Sequence, residues 1–260
     1  DTSVVVLKVI ATLFLLLIAR LDLISVITVY SVTTFAGFLI GLFFIKPGYL
    51  FTKTELSLAK VLFVFGVWVA VARIANAISG RLDTLMLIRY VHPDEVGFYA
   101  AAQRMTFLFP VLVNGMTVVI SPKFAALKTR GEAFNFFKKS FLLISLLFAP
   151  IVLLFFLAPW VTILIYGSSY SSSIYIFRWL LVSSFFFVAT SIPVAAILYF
   201  LGQSRFFAIL SLVQLVIIFL ANLIFIPHFG VVGPAISLAI SYGIVFIISI
   251  FVLFLKLKND

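Results

Sequence analysis

The sequence predicts an all-α integral membrane protein with eight transmembrane helices, on the basis of its composition and the length of its apolar runs. Of the 260 residues, 65% are hydrophobic and only 10% are charged, and the mean hydropathy is +1.32. Soluble domains are about half apolar and about a quarter charged. Because a soluble domain still needs a polar exterior, this composition excludes a globular enzyme, a secreted module and a disordered chain.

Each predicted helix is an apolar run long enough to cross a bilayer, which takes about 20 residues. The runs are too long for barrel strands and lack their alternation. The predicted spans are residues 4–19, 23–45, 60–90, 96–121, 141–165, 174–201, 206–227 and 231–255. Residues that favour turns separate several of them, namely Lys46-Pro47-Gly48, His92-Pro93-Asp94, Tyr166-Gly167-Ser168-Ser169 and Pro227-His228-Phe229-Gly230.

The basic residues of the connections predict the orientation, because cytoplasmic loops carry an excess of lysine and arginine. One set of alternate connections contains only Arg20. The other set contains Lys46, Lys53, Lys60, Lys123, Lys128, Arg130, Lys138, Lys139, Arg205, Lys256 and Lys258. This side is predicted to be cytoplasmic. The chain is therefore predicted to be a multi-pass protein of the cell membrane with its C-terminus in the cytoplasm. Segment 122–140, with phenylalanines among its basic residues, is either an amphipathic stretch along the inner headgroups or a plain basic loop.

The net charge of +10 would also suit a nucleic-acid binder, but these lysines are spread over separate loops and predict no such partner. Cysteine is absent, so no disulfide or thiol chemistry is expected. The only histidines, His92 and His228, lie in turns beside proline, and no metal site is predicted from them. No catalytic set or phosphate-cradling glycine loop is found, so neither an enzyme nor a cofactor is predicted.

Charged residues inside the predicted spans are the candidates for function. Arg73, Arg81, Arg104, Arg178 and Asp83 lie well within them. Each costs roughly 2.5–3.5 kcal/mol at a helix centre, so such a residue usually faces a partner or a water-filled cavity.

Polar side chains also form stripes on the third and fourth spans. Arg73, Asn76 and Asp83 cluster on one side of the third span, and Asn114 lies on a stripe of the fourth. Arg73 has no acid nearby on its own helix, so it is either a ligand for an anionic group, since arginine grips phosphate bidentately, or a donor to carbonyls or to Asn114. Arg178 either reaches the outer headgroups or lines the cavity.

Asp83 and Arg104 are predicted to form an ion pair across the hairpin of these two spans. A turn centred near residues 93 and 94 places positions whose numbers sum to about 187 at the same depth, and these two residues satisfy that condition. The pair either locks the hairpin or acts as a proton- or cation-sensitive latch, which makes Asp83 and Arg104 coupling candidates. Gln214 and Asn222 on the seventh span are interpreted as helix–helix hydrogen-bonding residues.

Several short segments resemble the oligosaccharide flippases, the Wzx-like branch of the multidrug/oligosaccharidyl-lipid/polysaccharide (MOP) exporter superfamily. The resemblance extends over about residues 60–255 and is carried by Arg81–Met86, Glu95–Arg104, Ser121–Pro122, Leu164–Tyr170 and Asn222–Ala235. Within these motifs the family pattern fixes Asp83, Tyr99 and Arg104 and little else. Pro234 departs from the small residue expected there.

The resemblance implies two lobes of six helices each. Residues 60–255 would then be the complete second lobe, residues 1–45 the last two helices of a truncated first lobe, residues 46–59 a cytoplasmic inter-lobe linker and residues 256–260 a cytoplasmic tail. The cargo would be an oligosaccharide linked to polyprenyl phosphate or pyrophosphate, moved to the outer leaflet by alternating access. Arg73, Asn76, Arg104, Asn114 and Arg178 are the substrate-binding candidates.

Implied partners are the lipid-linked oligosaccharide, membrane lipids and polysaccharide-assembly proteins, and the full-length protein would be a monomer. Two other functions remain open at this stage. A drug or small-solute antiporter of the same superfamily would be expected to rely on intramembrane acids, whereas arginine predominates here. A membrane polysaccharide polymerase or glycosyltransferase would need carboxylates or histidines in a large outer loop, and the outer connections are only a few residues long.

Overall fold

The computed structural model describes residues 8–13, 23–45 and 56–258, and every regular element within these ranges is helical. The predicted all-α class is confirmed for this part of the chain. The long helices are α1 (Leu23–Ile45), α2 (Leu56–Tyr90), α3 (Pro93–Thr106), α4 (Leu108–Ala126), α5 (Arg130–Ser145), α6 (Phe148–Tyr166), α7 (Ser173–Ala195), α8 (Ser204–Phe229) and α9 (Gly233–Lys258).

Prolines determine where the predicted spans break into shorter helices. A proline cannot bond to the carbonyl group four residues earlier, and its ring crowds that carbonyl. Pro110 leaves the carbonyl of Thr106 free, and α3 ends at that residue. Pro150 stands in the same relation to Leu146, the residue after the end of α5. Pro193 is followed by a π-helical turn over Ala196–Phe200, which ends the long central helix.

Glycine forms the tight turn between α8 and α9. Gly230 has φ +57° and ψ −133°, a conformation that residues with a side chain rarely adopt. Gly233, the first residue of α9, lies against the backbone of α8. A Cβ atom at this position would lie 2.6 Å from the carbonyl oxygen of Phe225. The two helices can therefore turn back on each other and pack side by side.

The chain divides into two compact units, residues 1–59 and residues 60–260. In the first unit, the Nζ atom of Lys8 lies 5.3 Å from the centre of the Tyr30 ring of α1. In the second unit, α7 is the central helix, and α3, α4, α5, α6 and α9 all pack against it. Residues of α7 itself are buried on most of its sides, as expected of a helix that is largely apolar all round.

Five helical segments are long and apolar enough to cross a membrane: Ala59–Tyr90, Pro93–Ala126, Arg130–Tyr166, Ser173–Phe200 and Ser204–Leu257. The last contains two predicted spans, because it includes the hairpin of α8 and α9. Within α1 the apolar stretch is shorter, Ile27–Gly41. Most of the predicted span 4–19 lies outside the described residues. The chain is thus multi-pass in character, and the count of eight spans stays a prediction.

Segment 122–140 is helical apart from residues 127–129, so a plain basic loop is wrong there. The reason is a capping box at the start of α5: the Thr129 hydroxyl accepts from the backbone N–H of Glu132, and the Glu132 carboxylate accepts from the backbone N–H of Thr129. α2 begins at Leu56, within the linker predicted for residues 46–59, and the bounds of that linker stay a prediction. Likewise α9 continues through Lys258, within the predicted tail. Residues 46–55 lie outside the described part of the chain.

Candidate functional site

The carboxyl group of Asp83 joins three helices of the second unit. The Oη atom of Tyr99 on α3 donates to Oδ2 of Asp83 at 2.9 Å, and Nδ2 of Asn222 on α8 donates to Oδ1 at 3.0 Å. Asp83 itself is only 2% exposed, and Tyr99 and Asn222 are fully buried. A buried carboxyl group is stable in an apolar environment only when hydrogen bonds satisfy its oxygens, and these two donors provide them.

The predicted ion pair between Asp83 and Arg104 is not formed in the described structure, where the Arg104 side chain is exposed. The hairpin turn lies at residues 91–92, because α2 ends at Tyr90 and α3 begins at Pro93. This shift places Asp83 level with Tyr99 and leaves Arg104 about one helical turn away. At about 100° per residue, Tyr99 and Arg104 also point in directions roughly 140° apart, so both cannot face Asp83.

Two further polar contacts connect α2 to α8. Nδ2 of Asn76 donates to Oγ of Ser211 at 3.4 Å. Nearer the start of both helices, the guanidinium of Arg205 lies 5.6 Å from the centre of the Trp68 ring. The two helices thus run parallel with matching depths, and the predicted helix–helix role of Asn222 is confirmed by its bond to Asp83.

Arg73 lies at the middle of α2, seventeen residues from either end, and its side chain is exposed. It makes no hydrogen bond or ion pair with any residue that the structure describes. On a helical wheel it points about 80° away from Asp83, beside the exposed small residues Ala77 and Gly80. Arg73 therefore lies on a flank of α2 that the other helices of the second unit do not cover.

The other substrate-binding candidates differ in their exposure and in their contacts. Arg104 and Asn114 are exposed, on α3 and α4 respectively, and the described residues show no contact of either with Arg73. Arg178 is half-buried, and its Nε atom donates to the carbonyl oxygen of Phe155 on α6 at 3.2 Å. That carbonyl group is free because its usual helical partner would be residue 159, which is Pro159. Arg178 thus has a structural role that the sequence analysis did not predict.

Two buried oxygens, one on α8 and one on α9, have no partner among the described residues. They are Oδ1 of Asn222 and Oγ of Ser241, both in buried side chains. Ser241 lies on α9 at nearly the same depth as Asn222, since the α8–α9 turn is centred near residue 231. Tyr99 and Asn222, not Arg104, are thus the partners of Asp83. Placing the hairpin turn directly before Pro93, where proline favours the first helical position, would have identified Tyr99.

The fold and these polar groups define a multi-pass helical membrane protein whose second unit combines a buried polar network with exposed arginines. A family model described as "Polysaccharide biosynthesis protein" matches residues 1–128. A protein of Shigella flexneri named as an O-antigen transporter is 29% identical over 184 residues, which is 70% of this chain and 44% of that protein.

Two solved structures share the fold. A multidrug resistance MATE-family transporter of the MOP superfamily, in an outward-facing conformation, superposes with a TM-score of 0.64 at 17% identity, covering 76% of this chain and 46% of the transporter. MATE in its straight conformation superposes with a TM-score of 0.77 at 14% identity, covering 97% of this chain and 60% of that structure.

These comparisons agree with the resemblance found in the sequence: the chain is similar to polysaccharide biosynthesis proteins and to an O-antigen transporter, and it shares its fold with MATE transporters. The relatives that carry functional names are transporters. The chain spans less than half the length of the Shigella flexneri protein.

Proposed function

We propose that this chain is part of a flippase that moves an oligosaccharide linked to polyprenyl phosphate or pyrophosphate across the cell membrane. Transport runs from the cytoplasmic to the outer leaflet by alternating access. The observation that supports this function is Arg73: a permanently charged side chain, exposed and without a described partner, at the middle of a long apolar helix. Its insertion cost of roughly 2.5–3.5 kcal/mol is recovered only if it meets water or an anion.

The cargo of such a flippase carries the groups that these side chains recognise. The guanidinium groups of Arg73 and Arg104 suit phosphate oxygens, because arginine keeps its charge in a low dielectric and donates two parallel hydrogen bonds. The amides of Asn76 and Asn114 offer both donors and acceptors, which suit sugar hydroxyls. Arg178 is a further candidate for the substrate, through the guanidinium nitrogens that are not bonded to Phe155.

Asp83 is the coupling group in this proposal. It is the only acidic residue buried within a helix of the described chain. Asn222, which is hydrogen bonded to Asp83, has an unpartnered oxygen, and Ser241 has another at nearly the same depth on α9; in this proposal these oxygens accommodate a proton or a small cation. Binding there would alter the hydrogen bonds that hold α2 to α3 and α8, and so would connect an ion gradient to the position of α2.

Complementation of a flippase-deficient strain by the full-length gene tests the function, with surface glycan as the measurement. We expect Arg73→Ala to abolish surface glycan at normal membrane abundance. Arg89→Ala is the matched control, because Arg89 is also an exposed arginine of α2 but lies at its end. Unchanged glycan display in Arg73→Ala would contradict the cavity role. Efflux of a cationic dye without glycan display would instead indicate a small-solute antiporter.

A further inference from the structure

Three helix ends meet around phenylalanine side chains at one end of the second unit. They are the end of α4, the start of α5 and the end of α9. The ring centroids of Phe124 and Phe136 lie 4.8 Å apart, which joins α4 to α5. Phe254 of α9 lies 6.4 Å from Phe137 and 6.1 Å from Phe134. These edge-to-face contacts fix the three ends relative to one another.

On all three helices the outward surface changes from apolar to lysine at this end. Along α5, Leu142 is 71% exposed, and the exposed residues one turn closer to the helix start are Lys138 and Lys139. On α4, Val118 is 73% exposed and is followed by the exposed Lys123. On α9, Phe251 is 63% exposed and is followed by the exposed Lys256. Each change takes place within about 8 Å of helix rise, so all three lie at one boundary.

The four lysines Lys123, Lys138, Lys139 and Lys256 form a surface that we call the lysine rim. No acid contacts them among the described residues. Glu132, the one acid of α5, accepts hydrogen bonds from the backbone of the preceding turn. The Nζ atom of Lys138 lies 4.3 Å from the centre of the Phe134 ring, which orients its ammonium group without neutralising it. Among the described residues, the rim is therefore a positive surface without a compensating acid.

We propose that the lysine rim binds the phosphate-bearing headgroups of anionic phospholipids of the surrounding bilayer. Charge complementarity selects the headgroup, and the exposed leucine, valine and phenylalanine side chains directly beside the rim contact the acyl chains. A soluble anion would use the lysines alone and would leave that apolar surface uncovered. A lipid therefore accounts both for the lysines and for the exposed apolar side chains beside them. The proposal does not depend on the transported substrate.

Native mass spectrometry of the purified full-length protein, with phosphatidylglycerol and phosphatidylcholine as probes, tests this proposal. We expect preferential retention of phosphatidylglycerol. Each lysine near a membrane surface should contribute about fivefold to lipid affinity, so Lys138→Gln/Lys139→Gln should weaken phosphatidylglycerol binding about thirtyfold at low salt. Arg81→Gln/Arg89→Gln is the matched control, because it removes the same charge from exposed positions on α2 away from the predicted cytoplasmic side and should leave binding unchanged.

Equal loss of phosphatidylglycerol in the two double variants would overturn the proposal, since it would reflect net charge alone. Equal retention of both lipids by the unmodified protein would also overturn it. Displacement of the lipid by millimolar glycerol phosphate would indicate a site for soluble anions instead. The melting temperature in pure phosphatidylcholine nanodiscs reports whether the α5 variant folds. If it does not, Lys256→Gln, on a different helix, should still weaken binding about fivefold.

Discussion

Replacing Asp83 with alanine should destabilise the protein strongly, because two buried donors depend on its carboxyl group. The hydroxyl of Tyr99 and the amide of Asn222 bond to different oxygens of that group, and neither side chain is exposed to solvent. Asp83→Ala removes both acceptors at once. Asp83→Asn preserves the shape and keeps one acceptor oxygen, so it should be the milder change.

The size of the effect follows from the number of groups left unpaired. A buried donor without a partner costs about 1–3 kcal/mol. Asp83→Ala leaves two such donors and should therefore cost about 2–6 kcal/mol of unfolding free energy. Asp83→Asn leaves one and should cost about 1–3 kcal/mol. Since native proteins are stable by about 5–15 kcal/mol, the alanine variant should approach the limit of folding.

Double-mutant cycles on reversible unfolding in mixed micelles provide the measurement. Asp83→Ala combined with Asn222→Ala should show a coupling of about 0.5–3 kcal/mol, because the two side chains share a hydrogen bond. The cycle with Tyr99→Phe should give a similar value. Asp83→Ala combined with Arg104→Ala is the matched control and should be additive, because Arg104 points away from the network.

A coupling between Asp83 and Arg104 that exceeds the coupling with Asn222 would refute this reasoning and restore the ion pair. The charge-swapped variant Asp83→Arg/Arg104→Asp gives an independent check. It should be no more stable than the less stable of its single variants, because an arginine placed at residue 83 would be buried without an acid. A rescued double variant would show that the two residues pair across the hairpin.

Two further substitutions test the packing of the second unit. Gly233→Ala should destabilise by about 1–3 kcal/mol, because its Cβ would overlap the backbone at Phe225, whereas Gly97→Ala, with open space around it, should be tolerated in the same melting assay. Arg178→Met should cost about 1–3 kcal/mol by leaving the carbonyl group freed by Pro159 without a donor. Adding Pro159→Ala restores the helical donor and should recover that loss; a purely additive double variant would contradict the explanation.

The sequence predicts the helices well because the bilayer and proline act locally. An apolar run of sufficient length specifies a span by itself, and a proline ends or bends a helix a few residues earlier. Contacts between helices depend on the position of the turn as well. Moving the centre of the hairpin by two residues moves the opposite helix by four positions, which is about one turn. Because of that shift, Tyr99 and not Arg104 is the partner of Asp83.

Contacts between distant segments were harder to predict for a related reason. Asn222 lies 139 residues from Asp83, and helical periodicity does not say which helices are neighbours. The polar character of Asn222 did indicate a helix–helix bond, but its partner follows only from the parallel packing of α2 and α8. The same holds for Arg178, since the need for a donor at Phe155 is visible only when Pro159 and Arg178 are placed together.

The distribution of polar groups on α2 separates stability from function. Toward the second unit, α2 presents Asn76 and Asp83, which are hydrogen bonded. On its uncovered flank it presents Arg73 and Arg81, both exposed. If that flank faced lipid, the two arginines would cost about 5–7 kcal/mol together, comparable to the whole stability of a typical domain. This cost is avoided where the flank meets water, an anion or another protein surface, and the proposed function places the phosphate-bearing substrate on this side of α2.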